Sequence, residues 1–487
     1  MNAFDYFFEL TSGKERNFLV GKEHVSFKNL YQSSRSLAAY LETEYGHKKN
    51  ILLLSANNAF FLTAYFAIIK SGNVCIPLDP NIETENLDYI SRLTNPVLIF
   101  CTADVARKHD LGTRKCIFPD TINNPEFQGA EFSENGYKVN KDDCAEIIFT
   151  SGSTGIPKGV MISHKNLIAN TESIIKYLKL DENDRMLVVL PFYYCYGLSL
   201  LHTHLRVGGS IVLNNSFIFL GGIIRDLLEH SCTGFAGVPS HFQILLRKSD
   251  NFKNTSFPAL RYVTQAGGKL TPIFIDEFRA NFPNVIFYVM YGQTEATARL
   301  SYLPPELYEQ KKGSMGKGIP DVELRVVNEK GENIKPGEIG EVIARGDNIM
   351  LGYFADEEGT KNALRNGWLY TGDLGTVDED GYIFLTARKK EIIKVGGKRI
   401  SPKEIEGVIL ELPEVVDCTI EGVSDELLGE AIKAIVVLKP ENGKDELIKK
   451  IKMHCSKHLA LYKIPQVFEV KENLVISATG KKIKGKL

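Results

Sequence analysis

Through about the first three hundred residues the sequence keeps changing its hydrophobic period, and this alternation restricts the fold more than any other feature. "FKNLYQSSRSLAAYLETEYG" has apolar residues at helical spacing, "NILLLS" is a short β-rich run, the stretch from Ala59 is helical again, and "NVCIPLDP" reads as strand then turn. Strands alternating with helices imply an α/β core with a largely parallel sheet. After about residue 320 the texture changes: "VELRVVNEKGENIKPGEIGEVIARG" and "YTGDLGTVDEDGYIFLTARKKEIIKVGGKRI" are short strands joined by Gly and Asp-Gly turns, which predicts a compact antiparallel region. From "SPKEIEGVILELP" onward the pattern is helix, strand, helix, as in a small α+β unit. The charged "RKKE" at 388 to 391 is the expected boundary, giving an N-terminal region 1–389 and a C-terminal unit 390–487. At 487 residues the chain is too long for one ordinary core, which agrees with this division.

A net charge of -2, from 58 basic and 60 acidic side chains, sets up no field toward nucleic acid or an anionic membrane, so an anionic ligand must be met by local charge. The 8 cysteines show no CxxC or Cys/His metal spacing and are expected to be reduced, mostly buried thiols. "MNAFDYFFEL" lacks a basic n-region, and Lys70 interrupts the most apolar run, "AFFLTAYFAIIKSG", which is too short to span a bilayer. A cytoplasmic protein without a membrane span is therefore expected.

One stretch supplies such local charge. In "IIFTSGSTGIPKGVMISH" (147 to 164), Gly152, Gly155 and Gly159 let backbone amides approach a ligand, Thr150, Ser151, Ser153 and Thr154 add hydroxyls, and Lys158 adds a cation, with no acid within the stretch. That donor set suits a polyphosphate. It departs from GxxxxGK[ST], because Gly159 and Val160 follow Lys158. Taken alone, the stretch also fits a flexible surface loop between the strands "AEIIF" and "GVMIS".

Together with "YGQTEAT" at 291 to 297, "GWLYTGDLG" at 367 to 375, "RKKEIIKVGGKRISPKEIE" at 388 to 406 and the C-terminal "SATGKKIKGKL", it resembles the acyl-adenylate-forming family of acyl- and aryl-CoA ligases, stand-alone adenylation domains and luciferases. "NVCIPLDP" and "GEIGEVIARGDNIMLGYF" are weaker echoes. The resemblance covers nearly the whole chain and implies a large N-terminal region of α/β subdomains with a small antiparallel β subdomain, a small mobile α+β lid, and an active site between them.

A carboxylate attacking the α-phosphorus of ATP needs charge neutralised at both ends of an in-line displacement. By the resemblance, the 150 to 159 loop cradles the leaving phosphates, Glu295 holds Mg²⁺ and Thr294 touches the attacked phosphate. Tyr291 stacks on adenine beside Gly267 and Gly268, and Asp373 accepts the ribose hydroxyls with Arg388 joining it. Lys481 bridges carboxylate and α-phosphate, although Val475, Lys482 and Lys484 depart from the family's usual residues around it. Lys390 resembles the hinge about which the lid turns, and Gly396 and Gly397 of "KVGGKRI" line a tunnel for the thiol. Read without the family, Glu295 is a helix-terminal acid, Asp373 a turn former and Lys481 part of a solvated basic tail.

Tyr194 of "LPFYYCYGLS" and Met290 suggest a partly aromatic acyl pocket, and Arg299 either points inward to a polar acyl group or lies on the surface. The aspartate that binds the ammonium of α-amino acids is missing, which disfavours those substrates. The expected activity is formation of an acyl-adenylate from ATP and a small-molecule carboxylic acid, with release of pyrophosphate, then transfer to coenzyme A. Loading of a carrier protein's phosphopantetheine remains the alternative, because both acceptors end in the same arm. The chain stopping at the final motif favours a free-standing ligase.

Overall fold

The structure is a computed structural model describing residues 2–112, 114–122, 124, 127, 137–150, 156–217, 219–395, 398–425, 429–439, 443–472 and 474. Among the described residues the strands form four sheets. In the first, Cys116–Ile117, Leu98–Cys101, Asn50–Leu54, Val74–Leu78 and Cys144–Thr150 lie parallel, and Lys158–Ser163 and Gly352–Tyr353 continue the sheet antiparallel. In the second, Asn17–Val20, Ser210–Leu213, Arg185–Val188, Gly234–Gly237, Tyr262–Gln265 and Ile286–Tyr291 run parallel, with antiparallel strands Val25–Ser26 at one edge and Ser301–Leu303 and Lys317–Gly318 at the other. The third is antiparallel, built from Val322–Val327, Gly340–Gly346, Trp368–Val377, Leu364–Arg365 and Ile383–Arg388. The chain then enters a small α+β unit, in which Val415–Asp425 and Gly429–Leu438 form the long hairpin and helices Pro402–Leu410 and Lys444–His458 pack with it. The fold class is therefore α/β with an antiparallel subdomain and a terminal α+β unit.

Local chemistry explains where the elements begin. Helix Ala59–Lys70 starts where the Asn58 side chain accepts from the Phe61 amide, and nearly all of its residues are buried. Lys70 ends it without opposing that burial, because its ammonium lies 2.6 Å from Asp5 and 5.6 Å from the Phe4 ring. Helix His164–Leu178 opens on a capping box between Ser163 and Asn166. Helix Cys195–Val207 depends on Gly197, where a Cβ would lie 2.1 Å from the Pro191 carbonyl oxygen. The loop carrying Tyr194 can fold against the helix only because that position has no side chain.

The terminal unit rests on helix Pro239–Lys248. Arg247, with its side chain 4% exposed, pairs with Glu277 at 3.0 Å, stacks on Phe274 and donates to the carbonyls of Leu412 and Val415. All 8 cysteines are free and none is fully exposed. No described helix is long and apolar enough to cross a membrane.

One buried polar group stands out in the core. Glu146, on strand Cys144–Thr150, is 1% exposed and accepts from the Tyr65 hydroxyl at 2.8 Å, which also lies 2.7 Å from His202 Nε2. Burial raises the Glu146 pKa to about 7 and lowers that of His202 to about 3, so the imidazole is neutral and the carboxyl keeps its proton up to about neutral pH. For Glu146 the unfolded chain binds fewer protons than the folded one between roughly pH 4.5 and 7, so its contribution to stability is lost as pH rises through that window. Glu146→Gln keeps an acceptor for Tyr65 and removes the titration. The difference in chemical-denaturation stability should move in the variant's favour by about 3 kcal/mol across this window and level off above it. A pH-independent difference would mean that the carboxyl is already ionised in the fold.

Candidate active site

Strands Cys144–Thr150 and Lys158–Ser163 pair with Thr150 opposite Lys158 and Phe149 opposite Gly159. A Cβ on Gly159 would lie 2.8 Å from the Ile147 side chain. Strand Gly352–Tyr353 joins the outer edge, with the Phe354 amide donating to the Gly159 carbonyl at 2.7 Å. This brings an acid to the lysine that its own stretch lacks. Asp356 lies 2.6 Å from Lys158 Nζ, and that ammonium is also 5.0 Å from the centre of the Tyr353 ring. The hydrogen bond from Lys158 holds the Asp356 carboxyl below the usual carboxylate range.

The same tyrosine reaches the next motif. Its hydroxyl donates to Glu295 Oε1 at 2.8 Å, and the Met350 amide donates to the Glu295 carbonyl at 3.0 Å. Glu295 sits in the short 3-10 turn Thr294–Ala296, after which Thr297 takes a positive φ of 63°. The turn is secured by Thr297 donating to the Asn348 carbonyl and Asn348 donating to that of Arg299. Among the described residues no lysine or arginine pairs with Glu295, and its second oxygen has no hydrogen bond. That leaves a hard oxygen donor suited to Mg²⁺. Thr294 is buried, with its hydroxyl 3.5 Å from Cys195 Sγ.

Asp373 is 5% exposed yet ionically paired. Tyr291 donates its hydroxyl to Oδ2 at 2.6 Å, and Arg388 donates Nε to Oδ1 at 2.9 Å. Asp373 and Arg388 are cross-strand partners, so sheet register fixes the pair. The charge of Asp373 raises the Arg388 pKa, and burial keeps the Tyr291 phenol neutral. A carboxylate offers about four acceptor positions, so two donors leave room for further hydroxyls. Gly267 has a φ of 82°, and Gly268 lies close to Pro239 while its carbonyl accepts from Gln265. Lys390 is exposed in the turn before strand Ile393–Val395.

The expected pocket residues also come together. Tyr194 caps helix Cys195–Val207, and its ring centre lies 6.4 Å from that of Tyr196. Met290 accepts from the Tyr177 hydroxyl at 2.9 Å, and the Arg299 guanidinium lies 3.9 Å from the centre of the Tyr196 ring. Arg299 is buried, which removes the surface alternative. Tyr193 turns toward Asp79. Ser151, Gly152, Ser153, Thr154 and Gly155, together with Gly396, Gly397 and Lys481, lie outside the described residues.

A family model described as AMP-binding enzyme matches residues 10–354, and one described as AMP-binding enzyme C-terminal domain matches residues 404–481. The chain belongs to the AMP-binding enzyme family. It is 30% identical to an oxalate–CoA ligase of Arabidopsis thaliana, over 95% of this chain and 92% of that one. It is 28% identical to a long-chain-fatty-acid–CoA ligase of Salmonella typhimurium, covering 96% and 90%. The o-succinylbenzoate CoA synthetase MenE of Bacillus subtilis, solved with the acyl-adenylate OSB-AMP, superposes with a TM-score of 0.85 at 28% identity, covering 100% of this chain and 99% of that one.

Sequence reasoning singled out Lys158, Glu295, Asp373 and Arg388 but not Tyr353, Asp356 or Asn348, which connect or pair them. Tyr353 and Asn348 stand in "GDNIMLGYF", so that weaker echo carried a usable signal. Asp356 competes with any phosphate for Lys158. Asp356→Asn retains an oxygen for the helix cap at Gly359 and is expected to lower KM for ATP by roughly two- to fivefold, the scale of a partly exposed ion pair, whereas Lys158→Met raises it. Steady-state kinetics at saturating acid reads both, and an Asp356→Asn enzyme with raised KM would place Lys158 away from phosphate.

Proposed function

We propose that the protein is an AMP-forming ligase that activates a carboxylic acid as its acyl-adenylate, releases pyrophosphate and passes the acyl group to coenzyme A. The observation that carries this reading is Tyr353, which contacts both Lys158 and Glu295 and so unites two motifs that are far apart in the sequence. A cation and a metal-accepting carboxylate then flank the same space, as displacement at a phosphate requires.

In this reading Lys158 and the hydroxyl- and glycine-rich loop hold the departing phosphates, and Thr294 contacts the attacked one. Glu295 would hold Mg²⁺, which when bound neutralises charge on the phosphate oxygens. Asp373 takes the ribose hydroxyls, with Arg388 and Tyr291 fixing its carboxylate, and Gly267 and Gly268 leave space at the adenine. Lys481 supplies the cation between acid and α-phosphate. The terminal unit, 390–487, then turns about Lys390 and presents Gly396 and Gly397 to the pantetheine arm. The relatives are named for acids as unlike as oxalate and long-chain fatty acids, so the acid must be inferred from this chain's own pocket.

Incubation with ATP, Mg²⁺ and a carboxylate panel, with AMP scored with and without coenzyme A, tests the reading. AMP release should rise strongly on adding coenzyme A. Acceleration only by a phosphopantetheinyl carrier protein would favour carrier loading instead. Glu295→Ala should slow ATP–pyrophosphate exchange by about 10² to 10³, as loss of a preorganised electrostatic group does. Lys481→Ala should slow adenylate formation similarly while sparing thioester formation from supplied acyl-adenylate. Exchange at the wild-type rate in either variant would remove that residue from the first half-reaction.

A further inference from the structure

Arg299 carries a charge that the nucleotide chemistry does not use. It is 2% exposed and lies four residues beyond Glu295, entering strand Ser301–Leu303. Its guanidinium covers the Tyr196 ring at 3.9 Å and donates through Nη1 to the Ala298 carbonyl at 3.2 Å. Nε has no partner, and among the described residues no carboxylate pairs with the group. The surrounding phenols cannot serve as the counter-ion, because burial raises the pKa of Tyr177, Tyr194 and Tyr196 and keeps all three neutral. Glu146, the buried acid of the core, is engaged by Tyr65, and among the described residues it forms no ion pair with Arg299.

The backbone that presents this cation is rigid. Asn170 and Asn348 both donate to the Arg299 carbonyl, at 3.2 Å and 2.8 Å. Gly292 permits the fold-back, since a Cβ there would lie 2.0 Å from the Ala298 carbonyl oxygen. A guanidinium buried without a counter-ion is unfavourable, and a ring face plus one carbonyl compensates only part of that cost. The Tyr196 ring that Arg299 covers follows Cys195, whose Sγ lies 3.5 Å from the Thr294 hydroxyl, so the charge sits on the helix-entry side of Thr294, away from the Lys158–Asp356 pair. In the ligase reading, with Thr294 at the attacked phosphate, what lies on this side is the acyl portion of the substrate.

We infer that Arg299 receives a second carboxylate, so that the acid this enzyme activates is a dicarboxylate with one carboxyl adenylated and the other held at the guanidinium. The inference rests on the ligase reading above and specifies its substrate class. Arg and carboxylate match in planar geometry, and the unpartnered Nε is one edge of the required fork. A pocket built around that pair rejects an otherwise equal monocarboxylate, which leaves the guanidinium unpaired.

The test uses the full-length enzyme, coenzyme A and matched acids: propanoate with malonate, hexanoate with adipate, benzoate with terephthalate. In at least one pair the dicarboxylate should be favoured in kcat/KM for AMP release by on the order of 10²-fold or more. Arg299→Met should remove that preference mainly through KM for the dicarboxylate, and Arg299→Lys should restore part of it. AMP binding by calorimetry reports whether the variants are folded, and the wild-type comparison requires no variant. Monocarboxylates preferred in every pair, or a dicarboxylate preference unchanged in Arg299→Met, would overturn the inference while leaving the ligase reading in place. AMP release with no acid of either series would remove both.

Discussion

The buried carboxylate of Asp373 is the interaction on which the arrangement depends. At 5% exposure an unpaired carboxylate would be strongly unfavourable, and its two partners come from different parts of the fold: Tyr291 from the end of the parallel sheet, Arg388 from the last strand of the antiparallel subdomain. Satisfying that one charge sets the last parallel strand of the second sheet against the third sheet and fixes the strand that leads directly into the terminal unit. The register shift between Leu374 and Gly375 lies immediately beyond it, so the strand bends next to the pair. Two lone-pair positions remain on the carboxylate, which is how a structural anchor can also take ligand hydroxyls.

Charge elsewhere in the site follows the same logic of local provision in a nearly neutral chain. Lys158 is held by Asp356 and by the face of Tyr353, and Glu295 is held by the hydroxyl of that same tyrosine. Lys158 thus sits in a partly exposed ion pair, while Glu295 has a neutral hydroxyl as its side-chain partner. Arg299 differs in being buried among neutral phenols with a free Nε. In the proposed reading, the site divides into an exchangeable half toward the phosphates and a preorganised half toward the acyl group.

Much of the fold was legible because hydrophobic period and turn chemistry act locally: the helix from Ala59, the strand "NVCIPLDP" and the antiparallel texture after residue 320 all stand where the pattern put them. Glu295, Asp373 and Arg388 were legible through the order of motifs. What escaped reading was pairing across distance. "TSGSTGIPKGV" contains no acid, yet Asp356, 198 residues away, meets its lysine because a two-residue strand docks on the hairpin edge. Glu146 in "AEIIF" gave no sign that its pKa is raised, since that follows from its burial in the assembled core, which the Tyr65 hydrogen bond only partly offsets. Arg299 could not be assigned inward or outward from sequence, because its burial is set by the fold-back at Gly292 and by two asparagines from other segments.

The central claim is that Asp373 anchors both the fold around the site and the nucleotide itself, and calorimetric titration of AMP into wild-type protein and Asp373→Asn tests it most directly. Asparagine preserves size while removing the charge that Arg388 pairs with. The account predicts that AMP affinity falls by on the order of 10²-fold, as when one partner of a buried hydrogen-bonded charge pair is lost. A folded Asp373→Asn protein that binds AMP as tightly as the wild type would contradict it.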